Sequence, residues 1–103
     1  MREYKIEVCC GSVEDAISAK IGGADRIELN SALFLGGLTP SIGEMKLARQ
    51  SIDLPIMAMV RPRQGGFCYT DMEYKTAIAD AEALLDCGAD GLVFGFLNPD
   101  GTV

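Results

Sequence analysis

Three stretches of this chain open alike: a hydroxyl side chain, an acidic residue three positions on, then apolar residues at helical spacing, at Ser12/Asp15, Ser41/Glu44 and Thr70/Glu73. A hydroxyl at the N-cap and a carboxylate at the third helical position satisfy amides that a helix start leaves unpaired, so each pattern predicts a helix N-terminus. The first helix carries Val13, Ala16, Ile17, Lys20 and Ile21 and ends at Gly22-Gly23; the second carries Ile42, Met45, Ala48 and Ile52. The longest carries Tyr74, Ala77, Ile78, Ala81, Leu84 and Leu85 up to Gly88. Between them, Lys5 to Cys10, Ala24 to Asn30, Leu54 to Val60 and Asp90 to Phe96 read as short strands. Such alternation closes through right-handed crossovers, which predicts an α/β chain with a parallel sheet. Gly23-Ala24-Asp25 and Gly88-Ala89-Asp90 repeat one helix-to-strand joint, as in a barrel or a doubly wound sheet.

Composition removes several function classes. A formal net charge of -6 over 103 residues repels phosphate backbones and anionic membrane surfaces, so neither nucleic acid nor membrane is an expected partner. Met1-Arg2-Glu3-Tyr4-Lys5 lacks the apolar core of a signal peptide, and the apolar run Leu54 to Val60 is far short of the roughly 20 residues that span a bilayer. The expected location is the cytoplasm. Histidine is absent, which excludes histidine-based zinc sites, Ser-His-Asp triads and Cys-His pairs within this chain. Cys9, Cys10, Cys68 and Cys87 show no C-x-x-C spacing and are expected as free thiols.

Alternation along the strands sorts the polar groups, since residues i and i+2 share a face. Glu7 and Cys9 oppose Ile6, Val8 and Cys10; Arg26, Glu28 and Asn30 oppose Ile27 and Leu29. Met57, Met59, Arg61 and Arg63 share a face if the third strand stays extended through Pro62. The apolar faces must meet the helices, which leaves Glu7, Arg26, Glu28 and Arg61 on the other side of the sheet. In a barrel that side is the interior, where charges must be paired and hydrogen-bonded. Such charges serve a site or fill the interior. Arg61-Pro62-Arg63-Gln64-Gly65-Gly66-Phe67 sets two guanidinium groups before glycines whose amides approach a ligand closely, a pattern suited to an anion. Gly36-Gly37-Leu38-Thr39-Pro40-Ser41 precedes a helix on the same rim and adds amide donors or a plain tight connection. Cys9 shares the predicted interior with Met57 and Met59; soft sulfur ligands suit Cu(I), and buried sulfur also fills cores.

Glu7-Val8-Cys9, Gly23-Ala24-Asp25-Arg26-Ile27-Glu28-Leu29, Gly36-Gly37-Leu38-Thr39-Pro40-Ser41, Arg61-Pro62-Arg63 with Phe67 and Tyr69-Thr70-Asp71, and Gly88-Ala89-Asp90-Gly91-Leu92-Val93-Phe94-Gly95 together resemble the CutC family. The resemblance runs through essentially the whole chain. It implies a TIM-type (β/α)8 barrel, cytoplasmic copper homeostasis, and Cu(I) binding through cysteine, with Cys9 the one ligand carried over. The family often has a second cysteine at the end of the second strand, where this chain has Asn30. A barrel of this type needs about 250 residues, so residues 1–103 are expected to be the N-terminal part of a single barrel domain, with its first four strands and three helices.

Two functional expectations follow. One is a copper-homeostasis protein that binds or handles Cu(I) through Cys9. The other is a barrel enzyme for a small phosphate- or carboxylate-bearing substrate, with Arg26, Arg61 and Arg63 as anion anchors and Glu7 or Glu28 as general acid or base. Whether the chain is an enzyme stays open between them. The open strand edges of a half-barrel predict a homo-oligomer.

Overall fold

A computed structural model describes residues 3–103, so Met1 and Arg2 of the polar N-terminal stretch lie outside the described residues. The chain runs β1 (Glu7–Cys10), α1 (Val13–Ile21), β2 (Arg26–Leu29), a 3-10 turn (Leu33–Leu35), α2 (Ile42–Ser51), β3 (Ile56–Met59), α3 (Asp71–Asp86) and β4 (Gly91–Val93). All strand pairs are parallel, and the order is β1-β2-β3-β4. A doubly wound sheet would reverse its strand order at a switch point; an unbroken sequential order with the helices on one face is the winding of a barrel. The expected half-barrel is what the chain forms. Each strand is shorter than the apolar run that predicts it, because pairing stops where side chains and loops take over the backbone groups. β3 in particular ends at Met59, and the Arg61 amide donates to Thr39 Oγ1 at 2.9 Å instead of a neighbouring strand.

The three helix starts fall where the hydroxyls predict, but their carboxylates behave differently. Ser12, Ser41 and Thr70 each accept from the amide three residues on. Only Thr70 and Glu73 complete the reciprocal capping box. The Asp15 carboxylate reaches one residue further back, to the Gly11 amide at 2.9 Å. Glu44 does not close a box, and its Oε2 is buried without a partner.

The repeated Gly-Ala-Asp joint is one hydrogen-bond device used twice. Gly23 and Gly88 turn the chain at φ 95° and 104°. Asp25 then takes the Ile6 amide on Oδ2 at 2.7 Å and Asp90 takes the Ile56 amide at 2.9 Å, so each aspartate ties the start of its strand to the preceding one. Arg49 from α2 braces the second joint through Asp90 Oδ2 at 2.7 Å and the carbonyls of Ile52, Leu54 and Gly88.

Cys10, Ile27, Leu29, Ile56, Ala58 and Val60 point from the sheet into the helices and meet Ala16, Met45, Ala48, Ala77 and Leu84. Full burial of an Ile, Leu or Met side chain contributes about 1.5–3 kcal/mol, so this layer stabilises the half-barrel. The other face is the concave one, and it carries the polar residues.

Candidate functional site on the concave face and rim

Strand register sets the concave face in rows. Glu7 lies beside Arg26; Cys9, Glu28, Met57 and Gly91 form the next row, and Met59 and Val93 stand above it. Glu7 Oε2 and Arg26 Nε pair at 2.5 Å. The Cys9 thiol is exposed and donates to Glu28 Oε2 at 3.6 Å. Burial and then the neighbouring Glu28 carboxylate raise the Cys9 pKa, which keeps it a thiol. Cys10 points the opposite way into the core, where burial and then Asp15 push it up to about 11.

Met57 does not turn toward Cys9. A Cβ on Gly91 would stand 2.7 Å from Met57 Sδ, so the thioether lies over β4 in space that only glycine leaves. Asn30 is buried at the end of β2, with Nδ2 donating to Glu28 O at 3.2 Å.

The rim above the strand ends is organised by Arg61. Its Nη1 donates to Leu35 O at 3.1 Å and Gly37 O at 3.3 Å, and Nη2 to Gly65 O at 2.9 Å, which joins the loop after β2 to the loop after β3. Thr39 N donating to Arg61 O at 3.1 Å and a two-way Ser31–Leu38 bridge close the same loop. Gly37 permits it: φ is +92°, and a Cβ would stand 2.5 Å from Asn30 Oδ1. Arg63 is likewise engaged, by Glu73 Oε2 at 2.8 Å and by the carbonyls of Gly66 and Cys68. Thr70's amide and then Arg63 lower the Glu73 pKa. The two guanidinium groups therefore stand as loop clamps and not as open forks. Arg61 keeps one donor unmatched, its Nε, which is buried without a hydrogen-bond partner.

Beside Arg61 a cavity of about 880 Å³ opens at the ends of β3 and β4, lined by Met59, Phe67, Val93, Phe94 and Phe96 among others. The structure thus brings Glu7 to Arg26 and Cys9 to Glu28, and sets Arg61 and Arg63 in the rim loops. Sequence reasoning named Phe67 and Glu44 without giving either a role at the site; the Phe67 ring centre lies 5.1 Å from Arg61 Cζ. Burial and then the Asp15 carboxylate raise Glu44 to about 7. Its sequence signal was present but reads as helix capping.

The comparisons agree with this geometry. Residues 4–103 match the CutC family. The chain is 60% identical over 103 residues to a CutC family protein of Treponema denticola, covering 100% of this chain and 42% of that protein. It is 49% identical over 100 residues to a human protein named copper homeostasis protein cutC homolog, covering 97% of this chain and 37% of that protein. A solved structure of a copper homeostasis protein CutC from Streptococcus agalactiae superposes with a TM-score of 0.87 at 31% identity, covering 94% of this chain and 48% of that one. The chain spans less than half the length of these relatives. On the match over residues 4–103 and the shared fold, the chain belongs to the CutC family.

Proposed function

We propose that this chain, as the N-terminal part of a single barrel domain, serves cytoplasmic copper homeostasis, with Cu(I) as cargo met by the Cys9 thiol. The observation that carries this reading is the exposed position of Cys9 on the concave face, the one sulfur there that points away from the core as a thiol. The donor set does not fit a resident copper centre. Cu(I) favours two or more soft ligands, whereas Met57 leans over Gly91 and Asn30 offers an amide. Among the described residues no group of three or more Cys, Asp or Glu is placed to hold a metal ion. A single thiol, held protonated beside Glu28, suits a weak and exchangeable contact. Cu(I) titration of the reduced chain against a competing chelator tests this. Cys9→Ser is expected to lower the Cu(I) affinity, and unchanged affinity in that variant sinks the copper reading.

A second reading is favoured by Arg61: the rim cavity takes a small anionic ligand. Its support is a charged side chain with one unmatched, buried donor in the wall of a cavity at the C-terminal strand ends, where barrel sites lie. In this reading Glu7–Arg26 and Glu28 form the polar floor, with Glu7 or Glu28 as acid or base. Soaking crystals with phosphate or a carboxylate and finding no density at Arg61 would count against it.

A further inference from the structure

Gly91 opens β4 at a place where neither the joint nor the backbone asks for glycine. The same Gly-Ala-Asp joint leads into β2 with Arg26 at that place, and Gly91 does not use the left-handed conformation that favours glycine. Glycine within a strand weakens it and marks a close approach by another group. Here the group is Met57: a Cβ on Gly91 would meet only Sδ at 2.7 Å and Cε at 3.5 Å. We infer that Gly91 is a positioning residue for the Cys9 contact, holding the Met57 thioether over β4 and away from service as a second soft donor. This rests on the copper reading above and names what sets the strength of its contact.

Register makes Met57 the sulfur that has to be kept aside. Cys9, Glu28 and Met57 are successive partners across β1, β2 and β3, so Cys9 and Met57 stand roughly 10 Å apart at the backbone with Glu28 between them. Met59 lies two residues further along β3, roughly 7 Å higher, and Cys10 points into the core. Methionine is unbranched with three rotatable bonds, so the thioether of Met57 can lean toward either neighbouring strand. Over Gly91 it leaves Cys9 beside the Glu28 carboxylate, a hard oxygen donor that Cu(I) does not favour. A methyl group at position 91 closes that resting place, and the thioether turns across Glu28 toward Cys9. Two sulfurs then meet the ion, and an exchangeable contact becomes a retaining one. Met57 and Gly91 are partners in adjacent strands, so this positioning draws on nothing outside the described residues.

The test is Cu(I) titration of the reduced chain against a competing chelator, with the methionine methyls ¹³C-labelled and the Met57 resonance assigned through Met57→Leu. In the parent, Cu(I) should leave the Met57 methyl unmoved, and Met57→Leu should keep the affinity within about twofold. A Cβ at Gly91 meets only the flexible end of Met57, so Gly91→Ala is expected to fold. It should bind Cu(I) about tenfold or more tightly, with the Met57 methyl shifting as the ion binds. Adding Met57→Leu should return the affinity to that of the parent, which a gain from a stiffer β4 alone would not do. Unchanged affinity in Gly91→Ala, or a gain that survives Met57→Leu, overturns the inference. So does a Met57 methyl shift or a loss of affinity on Met57→Leu in the parent, and these two readings need no change at Gly91. In each case weaker binding by Cys9→Ser spares the copper reading, whereas unchanged affinity in Cys9→Ser overturns both.

Discussion

Replacing Glu44 by Gln should make the protein more stable at pH 8 and leave it nearly unchanged at pH 4. Glu44 stands in the first turn of α2 with Oε2 buried and unpartnered, and burial followed by the Asp15 carboxylate raises its pKa from 4.5 to about 7. The groups identified around it are all acidic or neutral: Asp15 from α1 and the Cys10 thiol from β1. The native state keeps a proton that the unfolded chain releases, so stability is highest below about pH 4.5 and falls as pH rises through 7. At about 1.4 kcal/mol per tenfold, the full displacement corresponds to about 3 kcal/mol. The residue is only half-buried, so solvent screens part of this, and the α2 N-terminus favours the charged form by up to about 1 kcal/mol. The expected loss between pH 4 and pH 8 is therefore about 1–2 kcal/mol. Urea unfolding of both proteins at the two pH values measures it, and the other titrating groups cancel in the difference. Glu44→Gln should match the parent at pH 4 and exceed it by about 1–2 kcal/mol at pH 8. Identical pH slopes in the two proteins would refute the reasoning.

Two further outcomes are expected. Asp25→Ala and Asp90→Ala each leave an amide at the entry to the preceding strand unpaired and should each cost about 1–3 kcal/mol by chemical denaturation; near-neutral effects would mean the joints are ornamental. Gly37→Ala combines a φ of +92° with a clash on Asn30 Oδ1 and should lower stability by about 1–3 kcal/mol, seen as a reduced melting temperature, whereas an unchanged one would show the loop to be loose.

Local patterns in the sequence determined the α/β class, the three helix starts, the parallel winding and the split between apolar and polar strand faces. These depend on i to i+2 and i to i+4 relations, and a hydroxyl at an N-cap acts on an amide three residues away in any fold. The repeated Gly-Ala-Asp was legible as a joint, but its work was not, because each aspartate bonds a residue 19 or 34 positions back. Tertiary structure alone decided where the long and charged side chains go. Arg61 reads as an open fork until the chain brings the carbonyls of Leu35 and Gly37 within reach from 26 and 24 residues away. Met57 reads as a second soft donor for Cys9 until Gly91 on the next strand leaves room for its sulfur. Glu44 reads as a cap until α1 packs against α2 and its Oε2 is buried without a partner. Flexible side chains choose among partners by proximity and desolvation, and both are properties of the packed chain.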